Sequence, residues 1–207
     1  MINKDTAIYG SFAEGAGNTG CNLFNALFLY HGIDAIYRSF SVDSVEDAVF
    51  AARTLGFSGF AVTMPFKKEV LKYVDELSYE VGEIGAANTI INENGKLKAF
   101  NTDYMAAKTI LCRTLKPLVI LGDGGYAAAV KYAAKILGIS YLVVTRVQWD
   151  AIVDIRNSLV YNCTPVPDVK VDNTNTYIDC LINTKTGKEL SEIQARHQFF
   201  LYTGLNF

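Results

Sequence analysis

The chain has 207 residues, of which 50% are hydrophobic and 19% are charged, and its formal net charge at pH 7 is -2. This length and composition allow either one substantial core or two smaller ones. Because no excess of lysine and arginine is present to neutralise a phosphate backbone, we expect no nucleic-acid partner. No apolar stretch is long and uncharged enough to cross a bilayer, and the N-terminus lacks the apolar run of a secretory signal. We therefore expect no membrane partner and a cytoplasmic location.

The cysteines and histidines exclude several kinds of site. The four cysteines are far apart and form no CxxC or Cys/His cluster, so we expect no metal site and no disulfide framework. We predict that they are reduced and mostly buried. They are Cys21, Cys112, Cys163 and Cys180. With only two histidines in the chain, Ser-His-Asp catalysis has little support.

Strand-like runs alternate with helical patterns in the first half of the chain. The expected elements are a strand at 6–9, a helix near 19–30, a strand at 35–40, a helix near 44–55 and a strand at 59–63. Such alternation is typical of βαβ units with a mainly parallel sheet.

Two further elements are expected before residue 103. After Pro65, apolar residues fall at helical spacing and predict a third helix. They are Val70, Leu71, Val74, Leu77 and Val81. Two strand-like runs, 88–91 and 97–100, flank Asn94-Gly95, which predicts a β-hairpin. A first α/β unit then ends near residue 103.

The second half begins a new α/β unit. It is predicted to contain helices near 104–115, 126–137 and 149–155, and strands at 118–121, 141–145, 158–162 and 176–181. A last helix near 190–201 lies too far along the chain to belong obviously to this unit. With two lobes, we expect the ligand to bind in the cleft between them.

A glycine-rich turn, Gly122-Asp123-Gly124-Gly125, follows an apolar strand and opens a helix, which is the context of a GxGxxA dinucleotide motif. Glycines let the backbone approach a pyrophosphate, and the helix N-terminus supplies free N–H groups. Arg146 follows the next strand, where an NAD site usually has an acidic residue, so it favours the 2′-phosphate of NADP. Two alternatives stay open, a glycine turn without ligand and an exposed loop arginine. The Asp123 carboxylate could repel a pyrophosphate, or it could simply cap the helix.

Lys67 is a candidate proton donor. It follows a strand end and Pro65, in the expected first turn of the third helix, where the helix dipole destabilises a positive charge and favours proton transfer. Adjacent lysines such as Lys67 and Lys68 are more often a solvated surface. Two other polar segments at strand ends, Asn88-Thr89 and Asn101-Thr102-Asp103, favour a functional role.

Six segments, in matching order across most of the chain, resemble the shikimate dehydrogenase family. They are VTMPFK (62–67), IGAANTI (84–90), NTD (101–103), LGDGG (121–125), NCTP (162–165) and QARHQFFLYTG (194–204). The resemblance implies an α/β fold with an N-terminal substrate lobe, a Rossmann-like NADP-binding lobe, and a C-terminal helix that returns to the first lobe. The corresponding limits are 1–103, 104–187 and 188–207.

The resemblance also implies an activity and a set of site residues. The activity is an NADP-dependent oxidoreductase reaction that interconverts 3-dehydroshikimate and shikimate, or acts on a close cyclic hydroxy acid. Lys67 and Asp103 would be the catalytic pair. The ring hydroxyls would be held by Thr63, Asn88 and Gln194, and the cofactor by Gly122, Gly124, Gly125 and Arg146.

The chain departs from the family pattern where the substrate carboxylate would bind. The usual Ser-x-Ser-Pro run is replaced by GAGNTG (15–20), in which Asn18 and Thr19 could hold an anion or could merely cap a helix. Around the cofactor, Tyr104, Ile182 and Thr184 replace the usual glycine, tyrosine and proline. Two alternatives follow, a non-catalytic ligand-binding relative and a dehydrogenase with an altered, quinate-like substrate. No feature of the sequence indicates an oligomeric state.

Overall fold

The computed structural model describes residues 2–207, which form two compact units. The first unit comprises the residues up to Asn101 together with Arg196–Phe207, and the second comprises Thr102–Ala195. The domain limits expected from the sequence, 1–103, 104–187 and 188–207, stay a prediction. None of the helices formed by residues 2–207 combines the length and apolar character needed to span a bilayer.

A six-stranded mixed sheet forms the centre of the first unit, in the order β2-β1-β3-β5-β6-β4. The strands are β1 (Ala7–Ala13), β2 (Ala35–Ser41), β3 (Gly59–Val62), β4 (Glu76–Leu77), β5 (Thr89–Glu93) and β6 (Lys96–Phe100). The helices are α1 (Thr19–Tyr30), α2 (Val45–Thr54) and α3 (Tyr79–Ile84). β1 pairs in parallel with β2 and β3, whereas β5 is antiparallel to β3 and β6. Phe12, Val49, Phe60, Ile90 and Leu97 are among the buried core residues.

The predicted hairpin is confirmed as the β5–β6 pair. Asn94 and Gly95 connect the strands with φ values of +55° and +91°. Two successive residues in the left-handed region are characteristic of a type I′ turn, whose twist matches that of the flanking strands. The Gly95 amide also donates to Asn92 Oδ1 at 2.8 Å.

The third helix expected after Pro65 is not formed, and this prediction was wrong. The segment contains a 3-10 turn (Glu69–Lys72), then β4 and the short helix α3. Asp75 draws the chain onto β6, because its amide donates to the Leu97 carbonyl at 2.8 Å and its carboxylate accepts from the Leu97 amide at 2.7 Å. The apolar stripe is consequently split: Val70 is fully buried, whereas Leu77 is 46% exposed.

Arg53 reinforces this pairing. Its guanidinium donates to the Asp75 carboxylate at 2.9 Å, and together with the Leu97 amide it holds the pKa of Asp75 below its usual range. Long-range backbone pairing with β6 therefore overrides the helical spacing of the local sequence.

The second unit contains a four-stranded parallel sheet in the order β10-β9-β7-β8. The strands are β7 (Leu118–Leu121), β8 (Tyr141–Val144), β9 (Leu159–Asn162) and β10 (Thr176–Asp179). The helices are α4 (Asp103–Leu111), α5 (Gly125–Ile136) and α6 (Lys185–Thr203), and a 3-10 segment at Arg146–Asp154 replaces the predicted short helix. Small residues such as Ala107 and Ala133 let α4 and α5 pack closely in the core.

Helix α6 begins five residues earlier than expected because of a local cap. The Gly187 amide donates to Thr184 Oγ1 at 3.0 Å, and the Thr184 hydroxyl donates to the Leu181 carbonyl at 2.7 Å. Threonine at this position satisfies an N–H group that a helix start otherwise leaves unpaired. The last residues of α6, from Arg196 onward, belong to the first unit.

The thiols of all four cysteines are reduced, but they are less buried than expected. Cys112, which directly follows the last residue of α4, is exposed, and the other three are partly buried. Burial raises the pKa of the Cys163 thiol well above its usual value, so this side chain is protonated at neutral pH.

Gly59 is expected to be a stability determinant of the first unit. A Cβ at this position would lie 2.8 Å from Cε1 of Tyr202 and 2.9 Å from the Ile90 carbonyl oxygen. Replacement with alanine should therefore lower the free energy of unfolding by about 1–3 kcal/mol, as overpacking of a core does. Chemical denaturation measures this loss. Gly82→Ala, where the added Cβ meets no atom within 4 Å, is the control, and equal stabilities of the two variants would contradict the prediction.

Candidate active site

In the first unit, Thr63 and Lys67 lie in the turn that follows β3. The Thr63 amide donates to the Phe12 carbonyl at 3.1 Å, which ties the start of the turn to β1, and the Phe66 amide donates to the Thr63 carbonyl at 2.9 Å. Lys67 is partly buried, whereas its neighbour Lys68 is exposed. Because Lys67 precedes a 3-10 turn and not an α-helix, the expected helix-dipole effect on its charge does not apply. Its position next to a strand end is as predicted.

Asn88 is held close to this turn by the backbone. The Ala87 amide donates to the Lys67 carbonyl at 2.8 Å, and the Asn88 carbonyl accepts from the Val62 amide at 2.9 Å. Asn88 is 4% exposed, and its Oδ1 accepts from the Thr89 hydroxyl at 3.0 Å. The structure thus brings together Thr63, Lys67 and Asn88, which the sequence analysis had assigned to one site.

The GAGNTG segment forms the largely exposed loop after β1 and the first two residues of α1. The Ala16 amide donates to Ser41 Oγ at 3.0 Å, which anchors the loop to β2. Asn18 is the N-cap residue of α1, but its side chain makes no capping hydrogen bond. Asn18 and Thr19 are both exposed. The simple capping alternative for Asn18 is therefore not supported, and the role of both residues with a substrate stays a prediction.

In the second unit, the glycine-rich turn connects β7 to α5, as the sequence predicts. Gly122 has a φ of +98°, and a Cβ there would lie 2.7 Å from Cγ2 of Thr164. Gly124 has a φ of -83°, and a Cβ there would meet no atom within 4 Å. The first glycine is thus required by the fold, whereas the second leaves open space beside the backbone at the start of α5. Such a turn fits the pyrophosphate of a dinucleotide.

The NCTP segment supports this turn from the neighbouring strand β9. Asn162 Oδ1 accepts from the Thr164 amide at 3.0 Å and from the Thr164 hydroxyl at 2.7 Å. The Asn162 side-chain amide donates to the Val166 carbonyl at 3.0 Å. These bonds fix the Thr164 methyl group against Gly122.

The charge of Asp123 is compensated. Its carboxylate forms an ion pair with Lys131, two turns along α5. The pair reduces the repulsion that Asp123 would otherwise exert on a phosphate group. Arg146 is exposed and directly follows Thr145, whose amide donates to Gln148 Oε1 at 3.1 Å.

Asp103 is the first residue of α4 and is only 6% exposed. The residue before it, Thr102, is also buried, and its hydroxyl accepts from Gln194 Nε2 at 2.9 Å. Asp103 and Gln194, assigned separately from the sequence, are therefore joined through Thr102.

A buried tyrosine pair near Asp103 was not found by the sequence analysis. The hydroxyls of Tyr126 and Tyr161 are 3.1 Å apart. Burial raises the pKa of both phenols well above the usual value, and the charge of Asp103 raises it further. Both hydroxyls are consequently protonated at neutral pH. Only Tyr126 carried a signal in the sequence, since it follows the glycine turn within the dinucleotide motif.

Comparison with known proteins places these residues in a family. The model of the shikimate dehydrogenase substrate binding domain matches residues 19–90. A shikimate dehydrogenase-like protein of Haemophilus influenzae is 38% identical over 147 residues, which cover 69% of this chain and 54% of that protein. A shikimate dehydrogenase (NADP(+)) of Pyrococcus abyssi is 43% identical over 114 residues, which cover 53% of this chain and 43% of that protein. The chain thus spans about half the length of the curated relatives it matches.

Solved structures match over the whole chain. A shikimate 5-dehydrogenase-like protein superposes with a TM-score of 0.84 at 27% identity, covering 100% of this chain and 95% of that one. The shikimate dehydrogenase of Aquifex aeolicus gives a TM-score of 0.80 at 25% identity, with coverages of 100% and 96%. Together these similarities show that the chain belongs to the shikimate dehydrogenase family.

Proposed function

We propose that the protein is an NADP-dependent oxidoreductase that interconverts 3-dehydroshikimate and shikimate, or acts on a close cyclic hydroxy acid. The observation that carries the proposal is the hydrogen bond from the Ala87 amide to the Lys67 carbonyl. It holds the backbone of the partly buried Lys67 next to that of the buried Asn88, within the segment that matches the family's substrate-binding model. A lysine next to polar groups that can orient a ring hydroxyl is suited to proton transfer.

The residues of the chain would act as follows. When a ring ketone gains a hydride, negative charge develops on its oxygen, and the Lys67 ammonium stabilises this charge and donates the proton. The Asp103 carboxylate accepts a hydrogen bond from a ring hydroxyl and orients it. Thr63, Asn88 and Gln194 hold the remaining ring hydroxyls. In this direction the hydride would come from the reduced nicotinamide of NADPH, which is thereby oxidised to NADP.

The cofactor proposal rests on the second unit. Gly122, Gly124 and Gly125 would let the pyrophosphate approach the start of α5, and Arg146 would bind the 2′-phosphate. The Asp123–Lys131 ion pair makes this turn compatible with an anionic ligand. Relatives named as NADP(+)-dependent enzymes support the same choice.

The carboxylate of the ring acid would bind at the start of α1. The GAGNTG segment stands where the family usually has a Ser-x-Ser-Pro run, and the exposed side chains of Asn18 and Thr19 within it suit an anion. Shikimate is the first candidate, and a quinate-like acid is the alternative.

A direct assay tests the function. The purified protein should reduce NADP in the presence of shikimate, as followed by the absorbance of NADPH, and NADP should raise its melting temperature in a concentration-dependent manner. Quinate and NAD are the comparison substrate and cofactor. Binding of the ring acid without turnover would support the non-catalytic alternative. If neither nucleotide stabilises the protein, the proposed function is wrong.

Arg146→Ala is expected to weaken NADP binding by about 10- to 100-fold while leaving NAD binding almost unchanged. The reason is that only NADP carries the 2′-phosphate that a guanidinium can bind. Cofactor titrations followed by fluorescence measure both affinities. The control is Arg113→Ala, because Arg113 follows α4 and pairs with Glu189. Equal losses for NADP and NAD in Arg146→Ala would show that Arg146 has a structural role instead.

A further inference from the structure

Helix α6 carries two glutamines on one face, and each contacts a threonine next to a proposed site residue. Gln194 and Gln198 are four residues apart, which places them one turn apart on the same side of the helix. Gln194 donates to Thr102, the residue before Asp103. Gln198 donates to Thr89, the residue after Asn88. Both glutamines lie in the QARHQFFLYTG segment, but the family resemblance implies a role only for Gln194.

The contacts of Gln198 form a directional chain of hydrogen bonds. Gln198 Nε2 donates to Thr89 Oγ1 at 3.0 Å, and Thr89 Oγ1 donates to Asn88 Oδ1 at 3.0 Å. The exposed fractions of the three residues are 3%, 0% and 4%. A hydroxyl has one proton to donate, so when Thr89 gives it to Asn88, it must accept from a donor such as the Gln198 amide.

We propose that Gln198 is a positioning residue that acts through Thr89 on Asn88. This hydrogen-bond chain ends on the carbonyl oxygen of the Asn88 side-chain amide, which accepts from Thr89. The amide nitrogen of Asn88 is then the end that donates to a ring hydroxyl of the substrate. This inference rests on the proposed function, because the ring hydroxyl belongs to the proposed substrate. Gln198 itself touches neither substrate nor cofactor in this scheme.

The polarity of the chain matters because an amide has two chemically different ends. If the Asn88 amide rotated by half a turn, its nitrogen would face the hydroxyl proton of Thr89, so two donors would meet, and its oxygen would be the end turned toward the substrate. Water cannot compensate for the wrong orientation at buried groups, so the cost of the mismatch is high. The fully buried Thr89, whose hydroxyl accepts a hydrogen bond from Gln198, prevents this rotation.

Substitutions that remove single bonds of the chain test the proposal. Thr89→Val keeps the shape of the side chain but removes its hydroxyl, and Gln198→Met keeps the length but removes the amide. We expect both to raise the KM for shikimate about tenfold, with kcat and the Kd for NADP nearly unchanged. Thr89→Ser retains the hydroxyl and should restore a KM close to that of the wild type.

The matched control is Thr203→Val. Thr203 also lies in the first unit, but its hydroxyl donates to the Phe199 carbonyl within α6 at 2.8 Å. It should leave the KM unchanged. Thermal unfolding of every variant separates loss of fold from loss of positioning. A wild-type KM in folded Thr89→Val, or a KM in Thr89→Ser as high as in Thr89→Val, would overturn the proposal.

A second measurement does not depend on activity. The side-chain amide signals of Asn88 in a nitrogen–proton correlation spectrum should shift in Thr89→Val and Gln198→Met, but not in Thr203→Val. Unshifted signals would overturn the hydrogen-bond chain itself. If the signals shift as expected but the wild-type protein neither binds nor converts a ring acid, the proposed function fails and the positioning role with it, although the chain of bonds stands.

Discussion

Lys67→Ala is expected to lower kcat for the ring acid by about 10²–10⁴-fold, with little change in KM. A proton donor acts mainly in the transition state, where charge develops on the reacting oxygen, so its loss affects the rate more than substrate binding. The backbone of Lys67 is fixed by the hydrogen bond from Ala87 and does not depend on the side chain. The variant should therefore fold normally, which circular dichroism checks, and steady-state kinetics measures kcat and KM.

Two further variants, Lys68→Ala and Asp103→Asn, help to interpret the effect of Lys67→Ala. Lys68→Ala is the internal control and should be almost silent, because Lys68 is an exposed neighbour with the same charge. Asp103→Asn should impair both substrate binding and kcat, since it removes the carboxylate that accepts a hydrogen bond from a ring hydroxyl. A wild-type kcat in Lys67→Ala would show that the proposed proton donor is wrong, whether or not the substrate assignment holds.

Gly124→Ala is expected to reduce the affinity for NADP by roughly 10- to 100-fold without lowering stability. The added Cβ meets no atom within 4 Å in the protein, and the φ of -83° suits any residue. It would, however, occupy the space into which the pyrophosphate must come close to the backbone. Fluorescence titration with NADPH measures the affinity, and thermal unfolding without cofactor measures the stability.

Gly122→Ala serves as the comparison, because it should lower the stability of the protein itself, whereas Gly124→Ala should lower only the affinity for NADP. The left-handed φ of +98° and the close approach to Thr164 make a side chain costly at this position. This variant is therefore expected to lose stability even without cofactor. Gly82→Ala controls for glycine replacement in general. Unchanged NADP affinity in Gly124→Ala would show that the cofactor does not bind across this turn.

The hairpin and the missing third helix show which parts of the fold depend on local interactions and which depend on distant ones. The Asn94-Gly95 turn was predictable because both residues adopt left-handed φ values that few other residue types tolerate. The segment after Pro65 has helical spacing of apolar residues, yet Asp75 bonds to Leu97, 22 residues away. Nothing near Asp75 in the sequence indicates this partner.

The sequence by itself determined the α/β class, the family, and the strand–turn–helix context of the glycine turn. These features depend on neighbouring residues, through backbone conformations that only glycine or asparagine adopt readily and through alternation of apolar and polar positions. It also indicated the polar strand ends that carry Lys67, Asn88 and Asp103.

Only the tertiary structure decided how these side chains are supported. Gln198 reaches Thr89 across 109 residues, and Gln194 reaches Thr102 across 92. Tyr126 and Tyr161 meet through the packing of α5 against the sheet of the second unit. Such contacts depend on which elements become neighbours in space, and a single sequence carries no local periodicity that specifies a pair so far apart. The buried hydrogen bonds are satisfied only once the fold has formed.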